Sequence, residues 1–188
     1  MTQNQAHQTI EIRVEEAAQL FNTLDPFPFK ERDLDSDAEE YIVGWARELS
    51  RDQPLQILIH LPAKEAETKA GQELGMAFAR YFDYRADVLG RDLNELFRVG
   101  RRSLLIGLAV LGLCMAAGKV ITGRLGPDYI GHFIEEGLFI VGWVANWRPI
   151  EIFLYDWWPL ARRRDLYRRL AGAPVILNPV PDTKEHSG

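Results

Sequence analysis

The chain has 188 residues, of which 22 are basic, 27 are acidic and 47% are hydrophobic, and its formal net charge is -5. This length accommodates one ordinary domain, or a smaller domain together with a membrane segment. The single cysteine, Cys114, excludes an intramolecular disulfide and a zinc site with several cysteine ligands.

Two strands with a helix between them are predicted near the start of the chain. Residues 9–14 (TIEIRV) alternate between polar and apolar side chains and are rich in β-branched residues. Residues 55–61 (LQILIHL) form a short apolar run. Ser36 and Glu39 fit a capping box at the start of the helix. The apolar face of this helix is predicted to contain Ile42, Trp45, Ala46 and Leu49. The residues before the first strand include neither a basic nor an apolar region, so we expect no cleavable signal.

A long helix is predicted after the second strand. Its apolar residues recur at helical spacings and are Leu74, Phe78, Phe82, Leu89, Leu93 and Leu96. We expect the helix to continue through Arg102 into the apolar segment that follows. These elements predict a small cytoplasmic α/β module at residues 9–98, after a flexible N-terminus at residues 1–8. Because two strands make a poor sheet, we expect either residues 22–30 or neighbouring copies of the chain to complete the packing.

A first transmembrane span is predicted at residues 103–122. Residues 103–118 (SLLIGLAVLGLCMAAG) contain no charged side chain, and twenty helical residues span about 30 Å, the thickness of the hydrocarbon layer. Lys119, near one end, can extend its ammonium group to the interface. The alternative is a buried helix in a soluble core, but so long an apolar run lacks the polar face of a surface helix.

A second span is predicted at residues 129–147, which begin at Tyr129 and end before Arg148. The sequence GRLGPD, a turn with glycine and proline, joins it to the first span. The two spans are therefore predicted to form a transmembrane helical hairpin at residues 99–147. Small residues that favour close packing of such helices are Gly112, Ala116, Cys114, Gly118, Gly137 and Gly142.

The distribution of charge predicts the orientation of this hairpin. Residues 1–97 carry 19 acidic and 10 basic side chains, whereas residues 98–188 carry 8 acidic and 12 basic ones. Arginines flank the outer ends of the two spans, and few basic residues lie between the spans. By the positive-inside rule, both termini are predicted to face the cytoplasm at a bacterial-type inner membrane.

Residues 148–171 are predicted to lie on the membrane surface. Pro149 is expected to break the helix at the interface. An interfacial amphipathic helix is then predicted from apolar residues at helical spacing, namely Ile150, Phe153, Leu154 and Trp157. A basic helix (ARRRDLYRRL) suited to anionic lipid headgroups follows, and then a flexible tail at residues 172–188. The residues predicted to bind the membrane surface are Arg148, Trp157, Trp158, Arg162, Arg163, Arg164, Arg168 and Arg169.

Four polar residues fall inside the predicted spans: Lys119, His132, Glu135 and Glu136. The last three share one side of a helix because they are spaced at i, i+3 and i+4. Ionisable residues in a span suggest ion or proton passage. Lys119 is, however, near enough to the turn to neutralise Glu136 inside the hairpin, and this structural ion pair is the favoured interpretation. A metal site is disfavoured, since one helix offers three ligands and no second His or Cys cluster is near.

No catalytic signature occurs in the sequence, since the serines lie outside nucleophile motifs and a Gly-rich phosphate loop is absent. We therefore expect no enzymatic activity, no cofactor, no metal and no nucleic-acid partner. The predicted function is membrane anchoring or scaffolding through a self-associating cytoplasmic module, with lipid, further copies of the chain and a cytoplasmic protein as partners. The alternative is an oligomeric ion channel or transporter accessory subunit that uses the intramembrane acidic residues.

Replacement of both Glu135 and Glu136 by Gln separates these two functions. If the carboxylates conduct ions, the double variant loses ion flux into proteoliposomes and keeps its assembly. If they are structural, the same variant loses assembly, which mass measurement of the complex in mild detergent detects. Unchanged flux together with unchanged assembly would contradict both roles of these residues.

Overall fold

The computed structural model describes residues 8–22, 32–125 and 129–181. Predictions for residues 1–7, for residues 23–30 of the segment expected to complete the packing, for the last three residues of the GRLGPD turn and for residues 182–188 lie outside them. The fold is mostly helical with a small parallel sheet. Its elements are β1 (Gln8–Arg13), a 3-10 turn (Ala17–Leu20), α1 (Ser36–Glu48), β2 (Leu55–Pro62), α2 (Ala63–Ala66), α3 (Lys69–Leu125), α4 (Tyr129–Val144), α5 (Trp147–Glu151), a π-helical segment (Ile152–Asp156), α6 (Trp157–Ala171) and β3 (Val175–Val180).

The chain divides into two compact units. The α/β unit comprises Met1–Val88 and Arg163–Gly188, and the helical unit comprises Leu89–Arg162. Helix α3 contributes residues to both units, and its 57 residues confirm the predicted continuation of one helix into the apolar segment. Of its predicted apolar face, Leu74, Phe78, Phe82 and Leu93 are buried, whereas Leu89 and Leu96 are half-buried.

The connection after α4 in the helical unit differs from the prediction. Helix α4 ends at Val144, before Pro149, and Pro149 lies in the first turn of α5, where a missing backbone N–H costs no helical hydrogen bond. The π-helical segment then has more residues per turn than an α-helix, which shifts the phase of the apolar face. Ile152 is buried as a result, whereas Leu154, predicted to share a face with Trp157, is 52% exposed.

A three-stranded parallel sheet in the order β1-β2-β3 forms the centre of the α/β unit. In the central strand, Ile57 pairs with Ile10 of β1 and with Val175 of β3. Alternate side chains of β2 are buried because successive residues of a strand point to opposite faces. The buried residues are Leu55, Ile57, Ile59 and Leu61. Strands β1 and β2 confirm the two predicted strands.

The third strand was not predicted. It corrects the prediction of a flexible tail at residues 172–188, since Val175–Val180 form a strand. Strand β3 (VILNPV) contains Pro179, which removes a backbone donor and weakens the strand signal. A proline is tolerated here because β3 is an edge strand that pairs only with β2 among the described strands. This strand supplies packing that the sequence analysis assigned to residues 22–30 or to neighbouring copies.

The start of α1 also differs from the predicted capping box. The N-cap is Asp35, whose carboxylate accepts a hydrogen bond of 3.0 Å from the backbone N–H of Asp37, and Ser36 is the first helical residue. Helix α1 buries Ile42, Val43 and Ala46, whereas Trp45, predicted on the apolar face, is 47% exposed. Because Asp35 caps the helix, the Glu39 carboxylate does not serve as a cap and instead bonds to side chains of other helices.

Glu39 joins α1, α3 and α6 inside the α/β unit. Its carboxylate accepts hydrogen bonds from the hydroxyls of Tyr167 and Tyr81, the latter at 2.6 Å, and pairs with Arg85 at 3.2 Å. Burial raises the pKa of Glu39, but the two hydroxyl donors and the charge of Arg85 outweigh burial and hold this pKa below its ordinary value. Burial and the Glu39 carboxylate raise the pKa of Tyr81, so this hydroxyl remains a donor. The charged carboxylate is thus the form that stabilises the unit.

Tyr167→Phe is predicted to destabilise the chain more than Tyr41→Phe. The first variant deprives the half-buried Glu39 carboxylate of one donor, which lowers the free energy of unfolding by about 1–3 kcal/mol. The second removes a hydroxyl that donates to the Glu11 carbonyl at an exposed site, and changes the free energy by less than about 0.5 kcal/mol. Chemical denaturation of the full chain measures both values.

The defect of Tyr167→Phe depends on pH. Because the pKa of Glu39 is lower in the folded than in the unfolded chain, its stabilisation is complete above the unfolded pKa and is lost as pH falls through the folded pKa. The difference between Tyr167→Phe and the parent chain is therefore full at neutral pH and shrinks in acid. A difference that grows in acid would contradict this role of Glu39.

Candidate functional site

Helix α3 is, within the described parts of the chain, the one helix long and apolar enough to cross a bilayer. The core helix of a soluble protein can be equally long and apolar, but such a helix is mostly buried. In α3, only 11% of an apolar segment of 18 residues is buried. Its exposed apolar side chains include Leu105, Ile106, Leu108, Leu113, Met115 and Val120. The described part of the chain thus leaves the apolar surface of α3 largely uncovered.

Helix α4 has a similar outer surface but is shorter than the predicted second span. It has 16 residues and ends at Val144, three residues before the predicted end at Trp147, so it is about 24 Å long. Its exposed apolar side chains are Tyr129, Ile130, Phe133, Phe139, Ile140, Val141, Trp143 and Val144. The second span and the hairpin remain predictions.

Glycines bring α3 and α4 close together. A Cβ atom added to Gly142 would lie 2.9 Å from the Cα atom of Leu111, and one added to Gly118 would lie 3.2 Å from the side chain of Glu135. The residue numbers of these contacts rise along α3 while they fall along α4, which is the order expected of antiparallel helices. Small residues are needed wherever helix backbones approach this closely.

Asn146 ties the end of α4 to α3. Its side chain is 4% exposed, and its Nδ2 donates to the carbonyl oxygens of Gly142 at 3.0 Å and Gly107 at 3.1 Å. A Cβ atom added to Gly107 would lie 2.6 Å from the Asn146 Oδ1. Asn146 was not among the residues predicted from the sequence. The available signal was an amide inside an apolar segment, because such side chains commonly hydrogen-bond across helix contacts.

The four polar residues predicted inside the spans line one open cavity of about 610 Å³. The cavity is lined by Met115, Lys119, His132, Glu135, Glu136, Phe139 and Ile140. Residues from both α3 and α4 thus meet at this cavity, although they are up to 25 positions apart in the sequence, between Met115 and Ile140. The structure therefore gathers the predicted polar cluster on one face of the helix pair.

The two glutamates of this cluster have different surroundings. Glu135 is half-buried, and the Thr122 hydroxyl lies 3.1 Å from its Oε2 and 3.0 Å from the Gly118 carbonyl oxygen. The single hydroxyl proton can serve only one of these acceptors at a time. Glu136 is exposed. Glu135 is thus bound within the helix pair, whereas Glu136 is presented outward.

The predicted ion pair between Lys119 and Glu136 is not formed within the chain. Among the described residues, no ion pair includes Lys119, Glu135 or Glu136. Each helical residue is rotated by about 100° from the one before it. Lys119 and Glu136 follow Gly118 and Glu135, which face each other, so both side chains are directed away from the contact between the helices.

The predicted membrane-surface residues of the helical unit lie on α5 and α6. Arg148 pairs with Asp156 at 3.1 Å and with Glu151 at 3.2 Å. Trp157 and Trp158 pack edge to face with 5.6 Å between ring centroids, and the Arg162 guanidinium lies 5.7 Å from the Trp158 ring. These residues form a mixed aromatic and basic surface.

The remaining predicted surface arginines belong to the α/β unit. Arg169 donates to the backbone carbonyls of Ser50 and Gln53 at 2.6 Å and 2.8 Å, so it holds a loop of its own unit. Arg163 lies over the ring of Tyr167 at 5.7 Å. Arg164 pairs with the adjacent Asp165, and Arg168 is exposed. A lipid role for these four arginines remains a prediction.

Comparison of the chain with protein-family models, curated proteins and solved structures finds no match. The part of the chain that the structure describes contains no group of three or more His, Cys, Asp or Glu residues placed to hold a metal ion. The features of the described chain that bear on function are therefore the exposed apolar helices and the polar cavity that they line.

Gly142→Ala is predicted to destabilise the helix pair, with Gly137→Ala as a matched control on the same helix. The Gly142 methyl group would meet the backbone of α3 at 2.9 Å, which costs about 1–3 kcal/mol. Among the described atoms, none lies within 4 Å of a Cβ added to Gly137. That variant replaces glycine by a better helix former and is neutral or stabilising by up to about 1 kcal/mol.

Thermal unfolding of the two full-length variants in the same detergent measures this difference. Equal melting temperatures, or a lower one for Gly137→Ala, would contradict close packing of α4 on α3 at Gly142.

Proposed function

We propose that the chain is a membrane-anchored scaffold. Helices α3 and α4 form the transmembrane hairpin, and the α/β unit lies at the cytoplasmic face of an inner membrane, where it binds other proteins and further copies of itself. The observation that carries this proposal is the 11% burial of the apolar window of α3. Lipid covers such a surface without the free-energy cost that water imposes on it, and an α-helix satisfies its own backbone hydrogen bonds there.

The arginine positions support this topology. Arg98, Arg101 and Arg102 precede the apolar part of α3, and Arg148 follows α4. Basic residues at the outer ends of both helices favour a cytoplasmic position for both ends by the positive-inside rule. The short α4 is compatible with a span because local thinning of the bilayer costs only fractions of a kcal/mol per Å of mismatch.

The surface of α5 and α6 supports contact with the lipid headgroups. Trp157, Trp158 and Arg162 lie together on it, and such mixed aromatic and basic groups are typical of the boundary between lipid and water. The interfacial part of the anchor is therefore assigned to these residues, together with Arg148.

Helix α1 supports a binding role for the α/β unit. Tyr41 and Trp45 are each 47% exposed, and their ring centroids are 6.2 Å apart. Exposed neighbouring aromatic side chains are enriched where proteins bind each other, because they bury a large area at low cost in side-chain entropy. The edge strand β3 is less suited to this role, since Pro179 lacks a backbone donor.

An ion path is the second candidate function. The cavity that gathers Lys119, His132, Glu135 and Glu136 favours it, because ionisable residues inside spans commonly mark ion or proton pathways. Two spans per chain enclose a pore only in an oligomer, so this function requires more than the anchoring role does.

Leu113→Arg is predicted to prevent membrane insertion, with Met76→Arg as a matched control. Both residues lie on α3, and their side chains are 70% and 63% exposed. Leu113 is at the middle of the proposed span, where an arginine costs about 2.5–3.5 kcal/mol, whereas Met76 belongs to the α/β unit and faces water. Alkaline extraction of membranes, followed by detection of the chain in pellet and supernatant, measures insertion.

The parent chain and Met76→Arg are expected in the alkaline pellet and released only by detergent. If the parent chain is extracted without detergent, or if Leu113→Arg is retained as firmly as Met76→Arg, membrane anchoring through α3 is wrong.

A further inference from the structure

One side of the helix pair carries exposed charges of opposite sign. This polar face is defined by Gly112 and Lys119 on α3 and by His132 and Glu136 on α4. Gly112 and Lys119 are seven positions apart and so lie on the same side of their helix. Lys119, His132 and Glu136 are exposed, and all three line the same cavity.

In lipid, these charges require a partner. The described ion pairs of the chain do not include Lys119 or Glu136. A charged side chain exposed to hydrocarbon is costly, and ionisable residues in spans almost always face another helix and pair with one another. A partner surface that offers a carboxylate to Lys119 and a cation to Glu136 satisfies both charges at once.

The contacts of α3 with α4 place Lys119 and Glu136 at nearly the same depth. A Cβ atom added to Gly118 would lie 3.4 Å from the Cα atom of Glu135, so these two residues are level with each other. Lys119 and Glu136 each follow by one residue in opposite directions, which separates their levels by about 3 Å. They therefore lie side by side on different helices of one face.

We propose that the polar face binds a second copy of the chain, and this inference rests on the proposed membrane function. Two copies in one membrane share the same orientation, so they are related by an axis along the membrane normal. A two-fold axis of this kind places α3 of one copy against α4 of the other. Lys119 of each copy then meets Glu136 of its partner, and the interface contains two ion pairs.

Gly112 provides room for this approach. Apart from its neighbours in the chain and the backbone of α3 itself, no described atom lies within 4 Å of a Cβ added to Gly112, in contrast to Gly118, whose added Cβ contacts Glu135. Gly112 is thus not used in the contact between α3 and α4. A glycine at this point of the polar face lets the backbone of a partner helix come close.

Charge exchange tests the two ion pairs. Lys119→Glu and Glu136→Lys each place like charges opposite one another across the interface, and each is expected to weaken the dimer at least about tenfold. The double variant Lys119→Glu/Glu136→Lys restores opposite charges and is expected to recover the affinity of the parent chain. Arg124→Glu, about 140° further round α3 than Lys119, is the control and leaves dimerisation unchanged.

The measurement is single-molecule photobleaching of the full chain in vesicles made only of phosphatidylcholine, across a series of protein dilutions. Zwitterionic lipid removes anionic headgroups as alternative partners of Lys119. A dimer that forms only when anionic lipid is added would assign the polar face to headgroups and overturn the inference.

Cross-linking gives a second measurement that does not depend on charge reversal. In a Cys114→Ala background, a Lys119→Cys chain is mixed with a differently tagged Glu136→Cys chain and oxidised. A disulfide between the two tags is expected, whereas Leu113→Cys, on another side of α3, gives none with Glu136→Cys.

Three outcomes separate this inference from the proposed function. A parent chain that is inserted in the membrane but monomeric overturns the inference and leaves membrane anchoring intact. A dimer that is indifferent to Lys119→Glu and Glu136→Lys overturns the assignment of this face. A parent chain absent from the alkaline membrane pellet overturns the proposed function and this inference together.

Discussion

The apolar surface of α3 that the described part of the chain leaves uncovered is the constraint on which the other features depend. A helix with this surface is unfavourable in water, because apolar groups are driven out of it, and favourable in lipid, because its backbone is already hydrogen-bonded. The same helix begins in the core of the α/β unit, where Phe78 and Phe82 are buried. One continuous helix therefore contributes both to the buried core of the α/β unit and to an exposed apolar surface, and this is the physical basis of the proposed anchored module.

The close contact between α3 and α4 decides how charge is presented. Gly118 and Gly142 bring the backbones together, and residues one position on from the contact are consequently directed outward. Glu39 and Glu136 differ in the partners that the chain provides for their carboxylates. That carboxylate receives two hydroxyl donors and a guanidinium from its own chain, and its pKa is held low. Glu136 has no ion pair among the described residues, so its partner is expected to come from outside the chain. The proposed self-association thus depends on the packing of two helices by glycine.

Local patterns in the sequence predicted the long helix and strands β1 and β2, and they singled out the four polar residues among those that line the cavity. Features that depend on distant residues could not be predicted. Glu39 meets Tyr167 across 128 positions, and no local pattern indicates this contact. Strand β3 was missed because Pro179 weakens the strand signal, although an edge position tolerates it. The π-helical segment shifts the helical phase, so Ile152 is buried and Leu154 exposed, contrary to a strict α-helical spacing.

Collision of spin labels with reagents of different solubility tests most directly whether lipid surrounds α3. Nitroxides are placed singly at Leu105, Leu113 and Met76 of the Cys114→Ala chain in vesicles. Molecular oxygen, which concentrates in hydrocarbon, is expected to relax the labels at Leu105 and Leu113 strongly, while a water-soluble nickel complex is excluded from them and reaches the label at Met76. If the nickel complex reaches the label at Leu113 as readily as that at Met76, water surrounds α3, and the proposed anchor is contradicted.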